Sequence, residues 1–104
     1  MKKNDRLLGL LGLAARSGSV VSGDFSAEKA ARSGKAELVI VSCDASDNTK
    51  KKYDDICRSH RIPCRICSDK EQLGRAIGKD FRAVCCVTDA NLAKAIIHLI
   101  EESE

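Results

Sequence analysis

The stretch Leu38-Val39-Ile40-Val41-Ser42-Cys43 decides the fold, because it is a short, continuous apolar run rich in β-branched residues. Such a run is typical of a strand that is buried on both faces, as in the middle of a parallel sheet. Gly34 precedes it, at the end of a helical pattern, and the polar loop 44–48 follows it. We therefore predict a central strand over residues 38–43, with helices before and after it.

Helical and extended patterns alternate upstream of this run. Asn4 or Asp5 can cap a first helix that runs to about Arg16, because their side-chain oxygens accept hydrogen bonds from free backbone amides. Residues 19–22 form a short strand candidate, and the second helix that follows it ends at Gly34. The upstream part therefore predicts helix, strand and helix before the central strand.

The same alternation continues downstream. A third helix stops before Pro63, since the residue preceding a proline disfavours helical backbone, and residues 64–67 form a short strand candidate. Ser68 and Glu71 have the spacing of a capping box, in which each side chain bonds a free amide at the other residue. This pair predicts the start of a fourth helix.

The last part of the chain completes the pattern. Residues 83–87 form another apolar strand candidate, and Asp89 can cap a final helix. Strands that alternate with helices are typical of α/β proteins, which place helices on both faces of a sheet. The predicted fold class is therefore α/β, a three-layer α/β/α sandwich in which residues 1–104 form a single domain around a central four-stranded mixed sheet.

The distribution of charge favours an anionic partner. The formal net charge of +3 is only a mild excess, and aromatic residues make up only 3%, so few side chains are available to stack on bases. Basic residues nevertheless occur in clusters that can neutralise phosphates, although such a cluster is as often an ordinary solvated helix face. The clustered residues are Arg16, Lys29, Arg32, Lys35, Lys50, Lys51 and Lys52.

Other function classes find little support. No segment resembles a signal peptide or approaches the ~20 apolar residues of a transmembrane helix, so we expect a cytoplasmic protein with no membrane partner. The six cysteines, among them Cys64-x-x-Cys67 and the adjacent Cys85 and Cys86, are then expected to be thiols that fill the core, with metal binding as the main alternative. No zinc-ligand spacing, catalytic pair or phosphate-binding fingerprint is present. We predict no enzyme activity, no metal site and no cofactor.

The junction Ser22-Gly23-Asp24 is the strongest candidate for binding. A glycine between a strand and a helix allows close approach of the backbone, and the new helix presents free amides to a phosphate. Lys29 and Arg32 lie on the same predicted helix and can reach the same polyanion. From these residues alone, an ordinary turn with a helix cap is an equally good interpretation.

The order of short motifs along nearly the whole chain resembles one protein superfamily. A glycine-terminated helix leads into the central strand and then into a short loop that contains Asp44. This arrangement is similar to that of the ribosomal L7Ae/L30e superfamily, and the resemblance is closest to its bacterial YlxQ-like branch. The matching segments are Ser22-Gly23 with Lys29, residues 32–45, residues 46–52, residues 73–79 and Val87-Thr88-Asp89.

The resemblance implies a three-layer α/β/α sandwich that binds kink-turn RNA without a cofactor. It implies structured RNA, kink-turn-like or ribosomal, as the partner, with a ribosomal or other protein as a further one. Binding would use the helix start near Gly23, the loop after the central strand and the loop before the last strand. The predicted RNA-binding residues are Ser22, Gly23, Asp24, Phe25, Ser26, Lys29, Arg32, Asp44, Lys79, Arg82, Ala83 and Val84.

Three positions depart from the kink-turn pattern. Kink-turn binders carry Asn and Glu two and three residues after the glycine, where these side chains read tandem sheared G·A pairs. This chain has Phe25 and Ser26 there, and Cys43 replaces the acidic residue of the loop. A phenyl ring offers no hydrogen bond to a base edge, and losing such a contact costs about 1–3 kcal/mol while phosphate contacts remain. We therefore predict weakened or altered specificity.

Three functional hypotheses follow. The leading one is an RNA-binding protein that is ribosome-associated or regulates RNA. The first alternative is a protein-interaction scaffold whose surface is built around Phe25, which requires that ring to be exposed. The second, less favoured alternative is a thiol-based metal or redox module.

Overall fold

Helices and strands alternate along residues 3–102, which are the part of the chain that this computed structural model describes. The helices are α1 (Lys3–Arg16), α2 (Asp24–Arg32), α3 (Asp47–His60), α4 (Lys70–Ala76) and α5 (Ala90–Glu102). The strands are β1 (Val20–Ser22), β2 (Leu38–Val41), β3 (Cys64–Ile66) and β4 (Val84–Val87). The predicted order of elements is confirmed, although each of the four strands is one or two residues shorter than the sequence pattern.

The four strands form one mixed sheet, as predicted, and their order in it is β1-β4-β2-β3. Strand β2 pairs in parallel with β3 and antiparallel with β4, and β1 pairs antiparallel with β4. Strands β1, β2 and β3 therefore point the same way, and their carboxyl ends meet at one edge of the sheet. Strand β4 begins at that edge, which is the usual position of a ligand site in an open α/β sheet.

Side chains of the central strands alternate between two hydrophobic cores, one on each face of the sheet. Val39 and Val41 pack against α2 and α3, whereas Leu38 and Ile40 pack against α1, α4 and α5. All four residues are fully buried, which explains why the run 38–41 shows no alternation of polar and apolar residues. The three-layer α/β/α sandwich is thus confirmed.

The cysteines are free thiols that mostly contribute to these cores. Cys85 and Cys86 are fully buried on opposite faces of β4, as their adjacency in a strand predicts. Burial raises the pKa of each of these two thiols to about 12, so both stay protonated at neutral pH. Cys57 is also buried, and Cys64 and Cys67 are partly buried against the two cores. Core filling is wrong for Cys43, which is exposed in the loop after β2.

Two of the predicted helix caps are wrong. Helix α1 already includes Lys3, so Asn4 and Asp5 lie inside it, and the Asn4 side chain bonds α4 and its preceding loop instead. Helix α4 is capped by Asp69, whose Oδ1 accepts a hydrogen bond of 2.8 Å from the Gln72 amide. Ser68 has a positive φ of 59° and donates its hydroxyl hydrogen to Asn4 Oδ1 at 2.7 Å. Because this contact lies 64 residues away in sequence, local spacing could not predict it.

Among residues 3–102, no helix combines the length and the apolar content needed to cross a bilayer. Within that range, no three His, Cys, Asp or Glu side chains are grouped so that they could hold a metal ion.

Candidate nucleic-acid interface

The junction between β1 and α2 leaves the start of α2 without a cap of its own. Gly23 is the residue before the helix and has φ 88° and ψ 150°, a region of backbone conformation that is essentially restricted to glycine. Glycine has no side chain with which to cap the helix, and the first helical hydrogen bond is donated by the Ala27 amide to Gly23 O at 2.9 Å. In the described part of the chain, the amides of residues 24–26 therefore have no acceptor. Free amides and the helix dipole together favour a bound anion.

Tyr53 of α3 holds Asp24, the first residue of α2, in place. Its ring is fully buried, and its hydroxyl donates to the backbone oxygen of Asp24 at 2.9 Å and lies 3.2 Å from Asp24 Oδ1. Burial, reinforced by the nearby Asp24 charge, raises the pKa of Tyr53 well above its ordinary value. The Asp24 carboxylate also lies 3.5 Å from Lys52 Nζ. The acidic group nearest the open amides is thus held by α3.

The cations of α2 differ in how free they are. Arg32 Nε lies 2.8 Å from Glu28 Oε2, and Lys52 Nζ lies 2.5 Å from Glu28 Oε1. Hydrogen bonds from Lys52 and then Arg32 hold the pKa of Glu28 below its ordinary value. Lys29 is exposed and forms no ion pair with any described residue. Lys29 is therefore better able than Arg32 to contact a phosphate.

The loop 79–83 faces the start of α2 and is held by close packing against α4. A Cβ atom on Gly74 would overlap the carbonyl oxygen of Asp80, so only glycine permits this approach. The Lys79 amide donates to Gly74 O at 2.8 Å, and the Arg82 amide donates to Lys70 O at 3.1 Å. The Arg82 guanidinium also reaches across to Ser22 Oγ at 3.3 Å. The loop and the end of β1 therefore form one continuous surface.

Two shallow grooves of about 270 Å³ each include residues of the first turn of α2 in their lining. We call the first the Phe81 groove, and its lining includes Gly23, Asp24, Phe81, Arg82, Ala83 and Val84. We call the second the Phe25 groove, and its lining includes Phe25, Ser26, Lys29, Ser33 and Lys35. Each groove thus combines one phenyl ring with at least one basic side chain.

Most of the predicted site residues meet at this corner. Ser22 is bonded to Arg82, and the two grooves bring together Gly23, Asp24, Phe25, Ser26, Lys29, Arg82 and Ala83. Lys79 is exposed at the start of the facing loop. Val84 reaches the Phe81 groove but is only 3% exposed, because its side chain belongs to the core beneath α2 and α3.

Two predicted residues have other partners. Arg32 lies at the far end of α2 and is paired with Glu28, as described above. Asp44 Oδ1 accepts a hydrogen bond of 3.0 Å from the Lys70 amide, so this carboxylate helps to close the start of α4. The sequence motif around Asp44 is therefore explained by a local structural contact.

Phe81 is the main residue of this surface that was absent from the predicted set. It is 67% exposed, and the Phe25 ring is 81% exposed. The available signal was an aromatic residue inside an otherwise polar segment, Lys79-Asp80-Phe81-Arg82, where burial was not expected. Thr49, which also lines the Phe81 groove, carries no such signal.

The fold and this corner together define a class of protein: a small α/β/α domain with an open helix start, basic side chains and two exposed rings at one edge of its sheet. Residues 5–98 match the ribosomal protein L7Ae/L30e/S12e/Gadd45 family. Because this match spans most of the chain, the protein belongs to that family.

Individual relatives agree with this assignment. The chain is 42% identical over 92 residues to the RNA-binding protein YlxQ of Bacillus subtilis (strain 168), covering 88% of this chain and 92% of that protein. It is 35% identical over 96 residues to the RNA-binding protein YlxQ of Enterococcus faecium, covering 92% of each. A solved structure of a protein of unknown function from Bacillus halodurans C superposes with a TM-score of 0.88 at 43% identity, covering 91% of this chain and 96% of that one.

A more distant structure shares the fold. The 15.5kD RNA binding protein of Giardia lamblia superposes with a TM-score of 0.80 at 24% identity, covering 98% of this chain and 88% of that one. At this identity the likeness shows a common architecture.

Proposed function

We propose that this protein binds structured RNA at the corner formed by the start of α2 and the loop 79–83. The observation that carries the proposal is the uncapped helix start at Gly23, which offers free amides beside Lys29 and Arg82. Phosphate groups are the anions that such a site accepts, and basic side chains add affinity that depends on salt. The relatives named as RNA-binding proteins support the choice of RNA among phosphate-bearing partners.

The proposed role is binding and not catalysis, and it uses no cofactor. The whole chain would act as one RNA-binding domain, since its match to the family extends over residues 5–98. The proposed partner is a kink-turn-like or ribosomal RNA, and the proposed setting is the cytoplasm, in a ribosome-associated or regulatory role. Charge supports an anionic partner at this corner, because the Asp24 carboxylate is held beside Lys52.

The specificity of this binding is proposed to differ from that of a kink-turn reader. Phe25 and Ser26 occupy the positions at which kink-turn binders carry Asn and Glu, and the Phe25 ring is exposed at the corner. Each missing base-edge contact lowers discrimination by about 1–3 kcal/mol, while contacts to phosphates do not depend on sequence. We therefore propose that sheared G·A pairs are not the feature that this protein reads.

A titration with two RNAs tests the proposal. A kink-turn and the same RNA with only its G·A pairs replaced by Watson–Crick pairs are titrated at two salt concentrations. We expect salt-dependent binding to both, because the phosphate contacts dominate. Binding of neither RNA would contradict the proposed function, and a preference of a hundredfold or more for the kink-turn would contradict the proposed change of specificity.

A charge reversal locates the binding surface. Lys29→Glu should raise the dissociation constant about tenfold. It should also make the affinity less dependent on salt concentration, as expected when roughly one phosphate contact is lost. Lys94→Glu is the matched control, because Lys94 is exposed on α5 at the other face of the sheet. Equal effects of the two variants would mean that the RNA does not bind at this corner.

A protein-interaction scaffold is the second candidate, because Phe25 has the exposure that this hypothesis requires. Its test is a comparison of binding with and without nuclease treatment of a cell extract. A partner that is retained after RNA is removed, and lost in Phe25→Ala, would favour the scaffold. We rank this candidate second because the surroundings of the ring are basic.

A further inference from the structure

Two aromatic side chains remain exposed at the corner although they are large and apolar. The chain has only three aromatic residues; Tyr53 is fully buried, whereas Phe25 and Phe81 are 81% and 67% exposed. Leaving a phenyl ring in water forgoes the free energy that its burial would contribute. Both rings lie beside the same helix start, and neither belongs to the described hydrophobic cores. This placement calls for an external group that covers them.

Building on the proposed RNA binding, we propose that Phe25 and Phe81 are two stacking faces for unpaired nucleotides, whose linking phosphate is bound by the free amides of α2. The target would then be RNA with unstacked nucleotides at this point, as in a bulge or a loop. The protein would then recognise the RNA by stacking bases on the π-faces of the two rings, and not by hydrogen bonds to base edges.

Each ring shares a groove with residues of the first turn of α2, so each can hold one nucleotide near the free amides. Phe81 lines the same groove as Gly23 and Asp24, and Phe25 follows Asp24 directly and lines the other groove. The free amides belong to Asp24, Phe25 and Ser26, which line the two grooves, and each groove holds one of the rings. Neighbouring bases of one strand are joined through a single phosphate, so two stacked bases would bring that phosphate to the amides.

Both rings are attached to backbone that is already fixed. Phe25 lies in the first turn of α2, whose first residue is held by Tyr53. The Phe81 loop is bonded to α4 on both sides of the ring, and the Phe81 carbonyl oxygen accepts a hydrogen bond of 3.0 Å from Arg82 Nη1. A preformed platform loses little conformational freedom when it binds, which favours stacking on an incoming base.

Charge complementarity identifies the occupant as a nucleic acid strand and not an apolar peptide. Lys29 and Lys35 line the same groove as Phe25, and Arg82 lines the same groove as Phe81. Basic side chains that follow a backbone, combined with aromatic faces, are the combination that proteins use to hold unpaired nucleotides. An apolar peptide would cover the rings but would leave these cations without counterions.

The test uses two RNA hairpins of equal length, one with a two-nucleotide bulge and one fully paired. Phe25→Ala and Phe81→Ala should each raise the dissociation constant for the bulged RNA about five- to a hundredfold. Neither should change binding of the paired RNA by more than about twofold. Leu13→Ala is the matched control, because Leu13 is an exposed apolar residue of α1, outside both grooves, and should change neither constant.

A second variant separates stacking from apolar contact. Phe25→Leu keeps a large apolar side chain but removes the π-face, whereas Phe25→Trp keeps that face. We expect Leu to behave like Ala and Trp to restore binding of the bulged RNA. Restoration by Leu, or equal loss of both RNAs in Phe25→Ala, would overturn the proposal.

The remaining outcomes distinguish a failure of the stacking proposal from a failure of the proposed RNA binding on which it rests. If Lys29→Glu weakens both hairpins while Phe25→Ala and Phe81→Ala change neither, RNA binding stands and stacking is refuted. If the wild-type protein binds neither hairpin, the proposed function itself fails, and stacking fails with it. The rings would then be a protein-binding surface.

Discussion

Three helices, α2, α3 and α4, begin at the same edge of the sheet. They differ in whether a side chain caps the free amides of the first turn. Helix α3 is capped by Ser46, whose Oγ accepts a hydrogen bond of 3.1 Å from the Thr49 amide. Helix α4 is capped by Asp69 in the same way, at 2.8 Å from the Gln72 amide. Helix α2 follows Gly23, which has no side chain to serve as a cap. Two of the three helices therefore satisfy their own amides, and α2 does not.

The caps of α3 and α4 stabilise the fold, whereas the open amides of α2 are explained by the proposed binding of RNA. Compared with a serine or aspartate cap, a glycine at that position costs a helix roughly a few tenths of a kcal/mol, which α2 gives up. In return, the backbone at Gly23 adopts a conformation that other residues reach only with strain, and the amides stay available. The helices α3 and α4 need no partner at their starts, whereas the proposed partner of the α2 start is a phosphate of the RNA.

The largest expected effect comes from closing α2 in the way that α3 is closed. Gly23→Ser introduces a good capping residue at a backbone conformation that suits glycine alone, so the free energy of unfolding should fall by about 1–3 kcal/mol. The added hydroxyl, or a shift of the backbone, would also remove the amides from an incoming phosphate. We expect the dissociation constant for RNA to rise about tenfold or more, measured beside chemical denaturation.

The matched control for that variant is Gly18→Ser. Gly18 also has a positive φ, of 77°, and open space around it, but it lies before β1, at the other end of that strand. It should lose stability without losing affinity for RNA. If Gly18→Ser weakens RNA binding as much as Gly23→Ser does, the loss reflects stability alone, and the comparison between the helix starts fails.

A smaller effect is expected from opening α3 in the way that α2 is open. Ser46→Ala removes the hydrogen bond to the Thr49 amide, and the free energy of unfolding should fall by about 0.5–2 kcal/mol. Because the amides of α3 are not proposed to hold a phosphate, the dissociation constant for RNA should stay within about twofold. Thermal denaturation and the same RNA titration measure the two quantities. A tenfold loss of affinity would show that two helix starts share the RNA.

Sequence patterns predicted the helices, strands and buried faces of this fold better than they predicted contacts between distant residues. The buried run Leu38-Val39-Ile40-Val41 determines the central strand, and the adjacent Cys85 and Cys86 lie on opposite faces because a strand alternates its side chains. These are local regularities, which sequence records directly. The position of Gly23 at the start of α2 was predicted for the same reason.

Contacts between distant residues could not be predicted from spacing. Asn4 was expected to cap α1, but it bonds Ser68, and local spacing gave no sign that Asp44 closes α4 through the Lys70 amide. The exposure of Phe81 depends on the packing of its loop against Gly74, which is also a tertiary contact. Residue roles at the corner therefore required the folded chain.

The smallest expected effect concerns the charge that α2 itself contributes. Glu28 holds Lys52 and Arg32 in ion pairs on an exposed surface, and these partners keep the pKa of its carboxyl below the ordinary value. A carboxyl with a lowered folded-state pKa adds stability above its unfolded-state pKa, and this contribution is lost as the pH falls through the folded-state value. Glu28→Gln should therefore unfold slightly more easily at neutral pH, and its stability should converge with that of the wild type in acid.

The same substitution should strengthen binding to RNA, which is the opposite of its effect on stability. Without the Glu28 carboxylate, Arg32 at the end of α2 loses its counterion, and Lys52 is left with the Asp24 carboxylate, 3.5 Å away. We expect a severalfold lower dissociation constant at low salt and a steeper salt dependence, by about 0.7–0.9 per additional phosphate neutralised. Glu71→Gln is the control, because Glu71 forms the equivalent exposed ion pair with Arg75 on α4. An equal gain from both variants would mean that the overall charge of the protein, and not the open end of α2, attracts the RNA.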